Sequence, residues 1–152
     1  MNRILFSVVL LSMLIFSCQK QEENKFDCGA TPACNVQCIA FWSYFNFSIV
    51  DKNTGEDLLF GNNPTLTPSD IKLFVKSNSP YRQIVVLADS STKILRTYGA
   101  NDTMALQVKN EPLQYIVVKN FCGDCCSRTV VEMVHEGQLL VADKSKVIRI
   151  KR

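Results

Sequence analysis

The sequence has little histidine, the side chain that enzymes use most often for general acid–base catalysis. His135 is its only histidine, so a Ser–His–Asp triad would depend on that one side chain. The chain has no Gly-x-Ser-x-Gly nucleophile elbow. It also has no glycine-rich phosphate loop, His-Glu-x-x-His zinc motif or EF-hand calcium loop. These absences predict a protein that is not an enzyme and that holds no cofactor or metal.

Charge is also sparse. Charged residues make up 20% of the chain, and the net charge is only +3. Without a basic run, this charge argues against a nucleic-acid partner. Hydrophobic residues make up 47%, which excludes a disordered chain, and 152 residues suit one domain of ordinary size. The composition therefore predicts a single folded domain.

The longest uncharged hydrophobic run lies at the N-terminus. It covers Ile4 to Phe16, thirteen residues that follow Arg3. A membrane-spanning helix needs about 20 apolar residues, so this run is too short to cross a bilayer. A short apolar run after a basic start is typical of a signal peptide. We therefore expect residues 1–17 to be a cleaved signal peptide.

The end of this run, Ile15-Phe16-Ser17-Cys18, resembles the lipobox of bacterial lipoproteins. The resemblance implies cleavage before Cys18 and a diacylglyceryl group on its sulfur, and several acyl chains give durable membrane anchoring. Gln19 stands where many inner-membrane lipoproteins carry Asp, which favours the outer membrane. Lys20-Gln21-Glu22-Glu23 resembles the export signal of surface lipoproteins of the Bacteroidota, but a plain tether fits equally well. The side of the membrane that the protein faces stays open.

The remainder of the chain has the period-two pattern of β-strands. Phe45, Phe47 and Ile49 alternate with more polar positions, for example, and Asp51 to Gly55 form a turn cluster. We predict an all-β domain over residues 28–152, an antiparallel β-sandwich of about seven to nine strands. Residues 18–27 are polar and form a flexible tether.

Two local expectations accompany this fold. Thr67 to Asp70 has helix-capping chemistry and is the one place where we expect a helical turn. Ile84 to Leu87 is a short apolar run, which predicts a strand buried in the core.

Residues Phe47 to Leu59 resemble the first hairpin of transthyretin-like domains, which include carboxypeptidase regulatory-like modules. The shared features are a strand, then Asp51, a turn with Thr54-Gly55, an acidic residue and Leu58. The resemblance implies a transthyretin- or immunoglobulin-like sandwich that serves as a structural or binding module and not in catalysis.

The seven cysteines divide into one that carries lipid, Cys18, and six that belong to the domain. An exported chain meets an oxidising compartment, so disulfides are expected, although six cysteines allow 15 pairings. We expect bridges between the two clusters, each closing a loop of about 90 residues worth about 4–5 kcal/mol. This pairing predicts that the N-terminal strand lies beside the strand that ends near Phe121. The clusters are Cys28, Cys34 and Cys38, and Cys122, Cys125 and Cys126.

The second cluster allows two alternatives to structural disulfides. Phe121-Cys122-Gly123-Asp124-Cys125 resembles the redox site of thioredoxin-like oxidoreductases. Such a site needs a following helix to lower the pKa of the first thiol, and the β-branched residues after it are poor helix formers. A CxxC pair is also a common half of a zinc site, with ligands from the first cluster completing it. The alternative function is therefore an envelope thiol-redox or zinc-binding protein.

Two further features bear on function. Asp102-Thr103-Met104 fits the O-glycosylation pattern of exported proteins of the Bacteroidota, so Thr103 is a candidate glycosylation site. Phe41, Trp42 and Tyr44 form either an aromatic platform for a ligand or part of the core on both sheet faces. The leading expectation is a lipid-anchored outer-membrane protein that binds an envelope protein or a glycan without catalysis.

Overall fold

The computed structural model describes residues 42–76, 81–123 and 126–152. The expectations for residues 1–41 therefore lie outside the described residues. These are the signal peptide, lipidation at Cys18, the tether and the first cysteine cluster. Cys125 lies outside them too. Among the described ranges, no helix is long and apolar enough to cross a membrane.

The described chain is all-β, which confirms the predicted class. It contains ten strands and one short 3-10 helix, Pro68–Asp70. The strands are β1 (Trp42–Val50), β2 (Ile71–Val75), β3 (Arg82–Ile84), β4 (Val86–Asp89), β5 (Ile94–Tyr98), β6 (Thr103–Val108), β7 (Gln114–Gly123), β8 (Ser127–His135), β9 (Gln138–Val141) and β10 (Ile148–Lys151).

All ten strands belong to one sheet with the order β3-β2-β6-β7-β8-β1-β5-β4, while β9 pairs with β8 and β10 with β1. Only Val85 separates β3 from β4, the two strands at opposite ends of this order. The sheet therefore curls into a nearly closed, barrel-like shape. It differs from the expected antiparallel sandwich of seven to nine strands in three ways. It has ten strands, these strands form one sheet and not two packed sheets, and two of the strand pairs are parallel.

Both parallel pairs involve β1, which divides one edge between two partners. Trp42 to Tyr44 pair with the start of β8, and Phe47 to Val50 pair with β10. The other edge of β1 pairs antiparallel with β5. Parallel neighbours are joined by long connections, so no turn signal in the sequence marks them.

This arrangement corrects the strand neighbour expected from the cysteine clusters. The strand that ends near Phe121 is β7, and β7 pairs with β6 and β8, not with β1. The reason is that β7 and β8 follow one another in the chain as an antiparallel pair. β8 therefore lies between β7 and β1 in the sheet. Trp42 is aligned with Ser127, so β1 lies beside the strand that begins at the second cluster.

The core follows the predicted alternation. Phe45, Phe47 and Ile49 of β1 are completely buried, and the Phe45 and Phe47 rings stack with centroids 4.6 Å apart. Met104 and Leu106 of β6 are also completely buried. Because neighbouring residues of a strand point to opposite faces, these positions line one continuous interior.

The prediction of a buried run from Ile84 to Leu87 is wrong. Only Ile84 is buried; Val85 is 72% exposed, and Leu87 is 48% exposed. The chain leaves β3 at Val85 and begins β4 immediately, so the run is split between two strands. β4 is also the last strand in the sheet order, and its outer face meets solvent.

The 3-10 helix lies where capping chemistry predicts a helical turn. The Asp70 carboxylate accepts hydrogen bonds from the Thr67 N–H and hydroxyl, both at 2.8 Å. These bonds favour the charged carboxylate and lower the pKa of Asp70. The helix directly precedes β2, so it sets the start of that strand.

Aspartates also stabilise two turns. Asp51 accepts hydrogen bonds from the N–H groups of Thr54 and Asn53, at 2.8 and 2.9 Å, and these bonds lower its pKa. Asp89 accepts from the Ser91 hydroxyl at 2.6 Å, and hydrogen bonds from this segment lower the pKa of Asp89 to about 2. Turns built in this way explain why polar clusters in the sequence mark strand ends.

We expect Leu106→Ala to lower the free energy of unfolding by about 2–5 kcal/mol, because it leaves a cavity in a completely buried site. Leu87→Ala is the matched control, since Leu87 is 48% exposed, and it should cost about 0.5 kcal/mol or less. Urea unfolding of the two variants measures both values. Equal losses would show that the two residues are not placed as described.

Candidate functional site

Three aromatic side chains meet on the outer face of the sheet, at the start of β1 and the end of β5. We call Trp42, Tyr44 and Tyr98 the aromatic cluster. Tyr44 and Tyr98 are cross-strand partners, and their ring centroids lie 5.9 Å apart with the planes at 88°. The Trp42 and Tyr98 centroids lie 6.1 Å apart with the planes at 79°. Edge-to-face contacts of this kind are favoured by the ring quadrupoles.

The aromatic cluster is open to solvent. Trp42 is 54% exposed and Tyr98 is 42% exposed, while Tyr44 is half-buried. Packing in the core is therefore the wrong interpretation for Trp42, and Phe41 lies outside the described residues. Alternation along β1 explains the exposure, because Phe45 and Phe47 point inward and Trp42 and Tyr44 point to the other face. No pattern in the sequence marks Tyr98, which joins the cluster only through the β1–β5 register.

The next cross-strand row adds a cation and an aliphatic side chain. Arg96 of β5 lies between Asn46 of β1 and Leu87 of β4. Its Nε donates a hydrogen bond of 2.8 Å to the Asn46 Oδ1, which holds the side chain over the sheet. Leu87 is exposed beside it. The face therefore combines aromatic, aliphatic and cationic groups.

The backbone fixes the base of the aromatic cluster. The Trp42 N–H donates to the Cys126 carbonyl at 2.9 Å, and the Ser43 hydroxyl donates to the Ala100 carbonyl at 2.6 Å. The Gly99 N–H donates to the Ser43 carbonyl at 2.7 Å. Hydrogen bonds to the neighbouring segments therefore fix the backbone that carries Trp42 and Tyr98.

Two cysteines of the second cluster lie in the described part of the chain. Cys122 lies within β7 and is buried in the core, and Cys126 directly precedes β8. The chain continues after the cluster as a β-strand, and residues 126–152 contain no helix. The helix that a thioredoxin-like site requires after its CxxC is therefore missing from this position.

His135 is the last residue of β8, directly before the turn of Glu136 and Gly137, as the sequence predicts. Both turn residues have positive φ, +49° and +76°, the geometry of a two-residue hairpin turn. The imidazole itself is buried, and its Nε2 lies 3.3 Å from the Gln114 Oε1. Burial lowers the pKa of His135. The ring borders a polar cleft of about 450 Å³.

The adjacent carboxylates Glu56 and Asp57 hold a loop together. The Glu56 Oε1 accepts from the Asn62 N–H at 2.8 Å. The Asp57 Oδ1 accepts from the N–H groups of Leu59 and Phe60, both at 2.8 Å. Their oxygens are occupied by backbone donors, which gives them a structural role.

Thr103 is the first residue of β6 and pairs with Val117 of β7. It is half-buried on the outer face of the sheet, so it begins a strand and does not lie at the tip of a turn. The carbonyl of the preceding Asp102 accepts from the Val118 N–H at 2.9 Å. Glycosylation at Thr103 stays a prediction.

No protein-family model, curated protein or solved structure matches this chain. In the part of the chain that the structure describes, no group of three or more His, Cys, Asp or Glu side chains is placed to hold a metal ion. The aromatic cluster, with Arg96 and Leu87 beside it, is therefore the feature on which a functional inference depends.

We expect the protein to lose stability as the pH falls below 6.5, the ordinary pKa of histidine. The unfolded chain then protonates His135 while burial keeps the folded form neutral, so the unfolded state binds more protons. His135→Gln should remove this part of the loss. Urea unfolding of both proteins from about pH 8 to about pH 5 measures the difference. Identical pH dependences would contradict a buried neutral imidazole.

Proposed function

We propose that this protein is a non-enzymatic binding module, held at the outer membrane by lipid on Cys18, that binds an envelope protein through the aromatic cluster. The exposure of Trp42 and Tyr98 on a rigid sheet face carries the proposal. Their edge-to-face contact holds both rings in place before binding, so a partner orders few further side chains.

The composition of this face favours a protein over a glycan. Tryptophan, tyrosine and arginine dominate the energetics of protein interfaces, and Leu87 adds aliphatic area beside Arg96. The Tyr98 ring stands nearly perpendicular to the rings of Trp42 and Tyr44, so it forms no shared flat platform with either of them for stacking a sugar ring. A glycan ligand is an alternative that the crosslinking experiment below distinguishes.

The place of the aromatic cluster along the chain fits a partner in the envelope. Trp42 follows Cys18 by 24 residues. A chain of that length reaches at most about 86 Å even when fully extended. With lipid on Cys18, a binding face at Trp42 stays within this distance of the membrane, on whichever side the protein faces.

The transthyretin-like resemblance of Phe47 to Leu59 belongs to the same proposal. β1 ends at Val50, the turn begins at Asp51, and a single bridge joins Val50 to Asp57. A strand followed by this turn is what the resemblance implies for the segment. The resemblance also implies a structural or binding module, which agrees with a role that lacks catalysis.

We further propose that the six domain cysteines form structural disulfides between the two clusters. In support, the N–H of Trp42, four residues after Cys38, donates a hydrogen bond to the Cys126 carbonyl, which brings the two ends of the clusters close together. Burial of Cys122 also disfavours it as an attacking thiolate. These observations favour structural bridges over the thiol-redox or zinc-binding alternative.

Placing a photoreactive amino acid at Trp42 in the full-length protein tests the binding face in cells. We expect a crosslinked protein of one defined mass, because Trp42 lies at the proposed contact. The adduct should fall at least about tenfold when Tyr98→Ala is added, since tyrosine anchors commonly contribute more than 1 kcal/mol.

A photoreactive group at Lys144, on an exposed turn, is the matched control and should give no such adduct. An adduct that glycosidase removes and protease leaves would show a glycan ligand. Failure to crosslink at Trp42 would count against the proposal.

Thiol counting distinguishes the structural bridges from the alternative. We expect no free thiol in the unreduced, unfolded protein and a loss of about 2–5 kcal/mol in stability after reduction. Peptide mapping without reductant should find links between the clusters. Reactive thiols, stoichiometric zinc or links only within each cluster would contradict this assignment.

A further inference from the structure

A second exposed face lies on another part of the barrel, across the outer side of β2, β6, β7, β8 and β9. Its centre is apolar although it faces solvent, and Tyr115 and Val117 are exposed there. Soluble monomers rarely expose large continuous apolar areas, so such areas mark interaction sites. We call the following residues the apolar face: Phe74, Tyr115, Val117, Val134, Leu139 and Val141. Ala105 lies among them on the same side of the sheet but is completely buried.

The strand registers arrange the apolar face in continuous rows. One row runs from Val117 through Val134 to Leu139, across three neighbouring strands. The adjacent row contains Ala105 and Tyr115, with Phe74 beyond Ala105. Because the side chains of each row point to the same side of the sheet, they form one surface and not isolated exposed groups.

Charges of opposite sign lie on β2 and β8, on either side of the apolar residues of β6 and β7, while Leu139 and Val141 of β9 lie beyond the acidic strand. Lys72 lies on β2 and Lys76 directly follows it, both in alternation with Phe74. Glu132 lies on β8 in alternation with Val134, and Glu136 borders a cleft of about 540 Å³ lined also by Tyr115 and Val117.

None of these four charged groups forms an ion pair with another residue of the described ranges. Lys119 is the extra residue at the bulge in β7, so it lies off these rows. The face therefore has a basic side and an acidic side, and both are available to a partner.

We infer that the apolar face binds a second copy of this chain, related by a two-fold axis parallel to the strands. Rotation about such an axis reverses the cross-strand direction, so the basic side of each copy meets the acidic side of the other. Both contacts then form at once, as an isologous interface requires. A single face with a basic side, an apolar centre and an acidic side is complementary to itself in this orientation, and this argues for a second copy over a foreign protein.

The inferred contact also bears on Thr103, which pairs with Val117 inside this face. A glycan on Thr103 would cover the apolar rows and block the second copy. Association through the apolar face and glycosylation of Thr103 are therefore mutually exclusive. The inference does not depend on the aromatic cluster, which lies on β1 and β5.

Charge reversal tests the inference with two variants of the full-length protein in detergent. The first carries Glu132→Lys and Glu136→Lys, which makes both sides basic, and the second carries Lys72→Glu and Lys76→Glu, which makes both acidic. We expect each variant alone to dimerise about 100-fold more weakly than the wild type, because like charges then face each other. An equal mixture should dimerise again. Sedimentation equilibrium measures all three.

Two controls keep the result specific. Lys144→Glu reverses an exposed charge away from the face and should leave the dimer intact, whereas Val117→Asp should weaken it in every charge background. Copies that merely share a micelle would be insensitive to charge reversal. Unchanged unfolding midpoints show that the variants fold. A monomeric wild type, or a mixture that stays monomeric, would overturn the inference.

Discussion

The parallel pairing of β1 with β8 and β10 is the constraint on which the rest of the structure depends. β1 shares one edge between these strands and gives the other edge to β5, so it links β8 and the C-terminal strand β10 to β5. Its inward side chains, Phe45 and Phe47 among them, are completely buried. Because the same strand must alternate, its outward residues Trp42 and Tyr44 are presented on the opposite face.

Much of the fold could be predicted because strands with one buried face carry a period-two signal. Leu106 of β6 and Ile49 of β1 are buried as their alternation predicts, and Asp51 and Asp70 form the turns expected of their local hydrogen-bonding chemistry. Long-range pairing leaves no comparable local signal. The β1–β8 neighbour relation and the placement of β8 between β1 and β7 were therefore not predictable from spacing.

The candidate site was only partly predictable for the same reason. Alternation places Trp42 opposite the core, but whether that second face meets solvent or another layer depends on the closure of the sheet. Tyr98 enters the aromatic cluster because it is paired with Tyr44, and Arg96 is held because it is paired with Asn46. Both pairings are set by a register between distant segments, which the composition of either segment does not reveal.

Both exposed faces depend on the position of β8. β8 carries Glu132 and Val134 on one face, while its first residues pair with Trp42 at the base of the other. The Cys126 carbonyl that accepts from the Trp42 N–H directly precedes β8, so the second cysteine cluster lies at the junction. On the proposed pairing between the two clusters, a disulfide at this point would limit separation of β1 from β8 and would hold Trp42 in place. Stability of the cysteine cluster and presentation of the aromatic cluster would then depend on the same contact.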